Sequence, residues 1–92
     1  MAQNPAWRVE FDRNAARDLR KLGAPAQQRI LRYLRDRIAT ADDPRRFGHA
    51  LTQDLKGLWR YRVGDYRIVA SIEDDRFIVL VVTIGHQREV YD

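Results

Sequence analysis

Between "LWRYRV" (58–63) and "YRIVAS" (66–71) stand just two residues, Gly64 and Asp65. Two runs that alternate apolar and polar residues around a Gly-Asp pair read as a β-hairpin whose turn fixes the register. Counting outward sets Val63 opposite Tyr66, Arg62 opposite Arg67, Tyr61 opposite Ile68 and Arg60 opposite Val69. Successive side chains on a strand point to opposite faces. Trp59, Tyr61, Val63, Tyr66 and Ile68 therefore share a face apolar enough to lie under helices, and Arg60, Arg62 and Arg67 share the other. Like charges directly opposed across a sheet destabilise it by roughly some tenths of a kcal/mol. A sheet built for stability alone would set Glu or Thr at one of these places. Three guanidinium groups on one face suit an anion, phosphate above all. The plainer reading is that each arginine pairs with a carboxylate. Glu73, Asp74, Asp75 and Glu89 are the candidates, the first three at the far end of the hairpin.

The remaining segments arrange themselves around this hairpin. Ninety-two residues make one domain, residues 1–92. "WRVEF" alternates as a half-buried strand with Trp7, Val9 and Phe11 on one side. Asp12 can cap a helix through "RNAARDLRKL" that turns Leu19 and Leu22 inward and stops at Gly23. Pro25 opens a second helix, "PAQQRILRYLRDRIAT", in which Ala26, Ile30, Leu34 and Ile38, with Leu31 alongside, form an apolar stripe. Its Arg29, Arg32 and Arg35 read as a solvated face. A loop follows, punctuated by Pro44, Gly48 and Gly57, with room for a short strand or turn around His49 to Leu51. "YRIVASIE" and "RFIVLVVTI" are joined by a tight turn at Asp74-Asp75, and the second is apolar on both faces, as an internal strand would be. Past Gly85, "REVYD" can add a short final strand. The expected fold is α+β, in the order β-α-α-β-β-β, with two N-terminal helices packed on one face of a small, mostly antiparallel four-stranded sheet.

Charge and motifs narrow the function. Seventeen Lys+Arg stand against thirteen Asp+Glu, a net +4, and all but Lys21 and Lys56 of the cations are arginine. That balance points to a polyanion or an acidic protein partner. The absence of cysteine removes any disulfide and fits a reducing compartment. "MAQNPAWRVEFD" has no apolar signal region, and "FIVLVVTI" falls well short of the roughly 18 residues of a membrane span. A cytoplasmic protein with no membrane partner is expected. His49 and His86 are the only histidines, so no metal-ligand spacing exists; Ser71 is the only serine, and no phosphate-binding glycine motif occurs. No pair of carboxylates suggests acid-base work, and no cofactor is expected. What remains is a cationic face with His86, Arg88 and Tyr91 at the end of the sheet.

"LKGLWRYRVGDYRIV", the "IEDDRFIVLVV" hairpin and the ending "GHQREVY" closely resemble the RelE toxins of the RelE/ParE superfamily of bacterial toxin-antitoxin systems. The resemblance takes in "RNAARDLRKL" and "FGHALTQDLKG" and spans nearly the whole chain. It implies a RelE-like ribonuclease that enters the ribosomal A site and cuts messenger RNA through the RNA's own 2′-hydroxyl. By position, Arg60 and Arg62 match the family's basic pair on the first hairpin strand, Arg67 the arginine after the turn tyrosine, and Tyr91 the C-terminal tyrosine. Arg88 joins these as a catalytic candidate, and Lys56, His86 and Gln87 as candidate substrate contacts. In the implied chemistry the arginines position the phosphate and spread its charge, Tyr91 is a candidate base, and His86 or an arginine assists the leaving oxygen. The family commonly places an arginine two residues after the glycine, where this chain has Gln87 and then Arg88. The implied partners are an acidic RelB-like antitoxin, operator DNA reached through that antitoxin, the ribosome and mRNA. Two other functions stay open: a ParE-like inhibitor of DNA gyrase that cuts nothing, and a plain nucleic-acid-binding module.

Overall fold

The computed structural model describes residues 5–87. Strand β1 (Arg8–Phe11) leads into helices α1 (Arg13–Arg20) and α2 (Ala24–Tyr33), and strands β2 (His49–Ala50), β3 (Leu58–Val63), β4 (Tyr66–Glu73) and β5 (Ile78–His86) follow. The sheet runs β1-β5-β4-β3-β2, with β1 parallel to β5 and the other neighbours antiparallel. Among the described residues it has five strands where four were expected, because His49 and Ala50 pair with Arg60 and Trp59. The expected final strand "REVYD" lies outside the described residues.

Local chemistry explains each element. Asp12 accepts the Ala15 N–H at 2.8 Å and starts α1. Gly23, expected to end α1, instead caps the start of α2, with Pro25 in its first turn. Ile30, Leu34 and Ile38 are buried. Residues four apart drift around a helix of 3.6 residues per turn. The chain corrects this by widening over Leu34–Ile38, where the Ala39 N–H reaches back five residues to the Leu34 carbonyl at 2.8 Å. Leu31, expected beside the stripe, is instead 43% exposed, because one residue past Ile30 the helix has turned off the sheet.

Both helices cover the face formed by Tyr61, Val63, Ile68, Ala70, Val79, Val81 and Ile84, with Val9 and Phe11 packed at its side. β5 lies inside the sheet, as its apolar run suggested. β1 accompanies it only to Val81, and beyond that point α1 takes over: Asp18 accepts the Ile84 N–H at 3.0 Å. One extra residue, Val82, bulges from β5 between the partners of Val69 and Ala70.

Of the two turns, one behaves as read. Gly64 alone has positive φ (59°) in its turn, the pattern of a type II′ hairpin, and the β3–β4 register is the one counted from the sequence. The other connection is longer than Asp74-Asp75. It makes a 3₁₀ turn over Asp74–Arg76 and passes through Phe77 at φ 52°, whose ring leans on Trp7 at 5.2 Å.

The segment before β2 is nailed to the sheet by Tyr61, whose hydroxyl donates to the Pro44 carbonyl at 2.9 Å. Gly48 sits against the same ring, and a Cβ there would approach Tyr61 Cε1 to 3.0 Å and the Arg60 carbonyl oxygen to 3.2 Å. Tyr61→Phe, which orphans that carbonyl, is expected to cost about 1–2 kcal/mol. Gly48→Ala, which overpacks a fully buried ring, is expected to cost about 1–3 kcal/mol. Thermal melts of the two variants check both, and an unchanged midpoint for either would contradict the packing described.

Candidate active site

The hairpin register brings Arg60, Arg62 and Arg67 to the sheet face away from the helices, with Arg62 directly across from Arg67. Their environments differ. Arg62 is exposed, Arg60 is half-buried, and Arg67 is only 8% exposed, with its Nε shut off from solvent. Burying a guanidinium is costly, and its field is correspondingly stronger because little water screens it. Beyond Arg67 the next strand contributes Gly85, which adds no side chain beside it. On the other flank β2 adds His49, the Cα partner of Arg60. A row of nitrogen-rich side chains thus crosses the sheet from His49 through Arg60 to the Arg62–Arg67 pair. Sequence reading passed over His49. The loop between β2 and β3 leaves their register open in the sequence, and the observed pairing alone sets His49 beside Arg60.

Two of the carboxylates considered as neutralising partners are engaged elsewhere. Glu73 accepts from Arg76 at 2.8 Å, and Asp74 holds Arg45 through two bonds of 3.1 and 2.5 Å. Glu89 lies outside the described residues, as do the catalytic candidates Arg88 and Tyr91.

The other candidates fall in different places. His86 is the partner of Tyr66, with ring centroids 5.8 Å apart, so it sits on the helix side in a shallow cleft with Asp18, Lys21 and Leu22. It does not join the three arginines. Lys56 is exposed after a 3₁₀ turn over Gln53–Leu55, four residues before Arg60. It stands ahead of β3, beyond the left-handed turn at Gly57 (φ 97°), and not on the strand that carries Arg60 and Arg62. Gln87 is half-buried where β5 ends, its N–H bonded to the Asp65 carbonyl at 2.8 Å, which keeps it at the turn end of the hairpin near Arg67.

Burial pushes the Tyr61 and Tyr33 phenols up, away from proton transfer at neutral pH. Among the described residues no three His, Asp or Glu side chains gather as a metal site would require. No helix among them is long and apolar enough to cross a membrane.

The Arg45 bonds hold the Asp74 carboxyl below the usual carboxylate range. A depressed folded-state value means stability that is present above the ordinary aspartate range, near about pH 4, and lost as acid protonates the folded carboxyl. Asp74 is exposed, so the pair is worth about 0.2–1 kcal/mol. Asp74→Asn is therefore expected to lower stability by that amount at neutral pH, and the gap to the parent protein should close in acid. Urea unfolding at both pH values reads this, and a gap that persists in acid would contradict it.

The chain matches the model of the family described as "ParE toxin of type II toxin-antitoxin system, parDE" over residues 9–91. It is 30% identical to a Mycobacterium tuberculosis protein named Toxin RelE, an alignment spanning 99% of this chain and 92% of that one. It is 27% identical to Toxin RelG of the same organism, over 92% of this chain and 95% of the relative. Its fold superposes with a TM-score of 0.82 on a chain of the RelBE2 toxin-antitoxin complex from Mycobacterium tuberculosis, at 26% identity, covering 94% of this chain and 97% of the other. With a β-α-α-β-β-β-β order, a hairpin that gathers three arginines and likeness along nearly its full length, the chain belongs to the RelE/ParE family of type II toxins, on the RelE side of it.

Proposed function

We propose that this toxin is a ribosome-dependent endoribonuclease that cuts mRNA in the ribosomal A site. The observation that supports it most is the Arg60, Arg62 and Arg67 cluster, a buried cation facing an exposed one with a third beside them. In the reaction the 2′-hydroxyl of the RNA attacks the adjacent phosphate in line. Exposed Arg62 meets the phosphate oxygens, and Arg60 and Arg67 hold charge against the phosphorane as it gains electrons. Tyr91, by its match to the family's C-terminal tyrosine, takes the proton of the 2′-hydroxyl. Arg88 is a further cation for the same phosphate. The requirement for a 2′-hydroxyl accounts for selectivity against DNA. The ribosome holds the mRNA so that the 2′-hydroxyl lies in line with the phosphate that the arginines meet.

Its regulator is an acidic RelB-like antitoxin that neutralises the cationic surface and carries the pair to operator DNA. The net charge of +4 and the likeness to a chain solved within a toxin-antitoxin complex support this.

A second reading, inhibition of DNA gyrase without cleavage, is favoured by the ParE description of the matching family. Side-by-side translation and gyrase supercoiling assays separate the two. The purified chain is expected to block translation and cut mRNA on ribosomes while leaving naked RNA nearly intact. Arg62→Ala should lower cleavage about 10²–10³-fold with an unchanged melting midpoint. Loss of supercoiling without any cleavage would establish the gyrase reading instead.

Gln87 offers a hydrogen bond but no charge to the phosphorane. Gln87→Arg is therefore expected to raise cleavage, by up to about 10²-fold, at nearly constant stability. Should Gln87→Arg add nothing while Arg88→Ala removes most activity, Arg88 already fills that place and the expectation fails.

A further inference from the structure

We propose that His49 is the proton donor to the leaving 5′-oxygen; this rests on the ribonuclease reading. An RNA phosphodiester broken by its own 2′-hydroxyl needs two proton movements. The O2′–P bond forms as the 2′-hydroxyl loses its proton, and the O5′–P bond breaks as O5′ gains one. The arginines can stabilise charge throughout, but a guanidinium stays protonated in proteins and releases nothing. Imidazole both gives and takes a proton near neutral pH. The chain has two imidazoles, and the sheet separates them: His86 shares the helix side with Tyr66, and His49 shares the arginine side with Arg60. His49 is thus the one imidazole placed where a phosphate held by Arg60 and Arg62 would expose its leaving oxygen.

The position is also a rigid one. Directly paired strand residues have Cα atoms about 4.5–5.5 Å apart. Gly48 permits that approach, since any side chain there would strike the Tyr61 ring and the Arg60 carbonyl. The Tyr61–Pro44 hydrogen bond anchors the same segment from the core side at 2.9 Å. The imidazole itself is exposed, open to a substrate lying across the arginines. In the step, the imidazolium proton passes to O5′ as the O5′–P electron pair moves onto that oxygen. The products are a 2′,3′-cyclic phosphate and a free 5′-hydroxyl. The neutral imidazole regains its proton from water, and the proton taken from the 2′-hydroxyl returns to water from Tyr91.

The test is single-turnover cleavage on ribosomes by the parent protein, His49→Gln, His49→Asn and His86→Gln. Each cuts two mRNAs, one with the natural O5′ and one with bridging sulfur in its place. A thiolate leaves without being protonated, so loss of the acid should not matter for the sulfur substrate. His49→Gln and His49→Asn are expected to slow the oxygen substrate about 10²–10⁴-fold and to match the parent on the sulfur substrate. A loss by His86→Gln confined to the oxygen substrate and as large as that of the His49 variants overturns the proposal. A parent-like rate for both His49 variants on oxygen overturns the proposal. A deficit just as large on sulfur also overturns it, because His49 would then hold substrate without donating a proton. If the parent protein cuts neither RNA, the ribonuclease reading has itself failed and this proposal falls with it.

Discussion

A two-residue turn at Gly64-Asp65 fixes which side of every strand is wet. Because side chains alternate with a period of two, a slip of one residue would send Tyr61 and Val63 outward and drive arginines under the helices. The positive φ of Gly64 makes the two-residue connection possible, and Tyr61 then locks it: its ring fills the core while its hydroxyl reaches Pro44. From that pair of anchors the pairing spreads outward, to β5 on one flank and to the short β2 on the other. The helices respond to this sheet more than they direct it. α2 even abandons regular geometry at its end to keep Ile38 over the apolar side.

The same register forces two arginines to face each other, an arrangement the sheet does not require for its own stability. Arg67 is nearly shut off from water and Arg62 is out in it. In the proposed reaction the buried charge acts on the phosphate with little water to screen it, and its exposed neighbour makes first contact. Local rules of strand pairing are thus broken at one place, and places of that kind are where function concentrates.

The sequence made the hairpin, its register and both faces legible, because Gly-Asp and strict alternation act over only a few residues. The Asp12 cap was legible for the same reason. The side on which His86 falls was not. "FIVLVVTI" is apolar at every position and offers no alternation to count, and the bulge at Val82 resets the parity of whatever follows. Leu31 misled because the stripe was read as wider than the contact between α2 and the sheet. The connection through Phe77 escaped notice because a left-handed aromatic residue runs against every turn preference, and its Trp7 contact comes from a distant part of the chain. His49 was passed over because two residues of strand carry almost no pattern. Its place follows from the pairing with β3 alone.

The brevity of β2 has one more consequence. It shields β3 only at Trp59 and Arg60, so among the described residues the outer edge of β3 from Tyr61 to Val63 meets no further strand. Such an edge invites a second copy to zip onto it, and charged side chains are a common way for proteins to refuse. Arg62 projects from that stretch, with Arg60 just before it. The cations proposed to meet an RNA phosphate thus also put charge on an open stretch of edge, a placement that disfavours pairing between two sheets. Under the proposed function, charge at these positions serves two ends at once, and a substitution that removes it touches both the site and the edge.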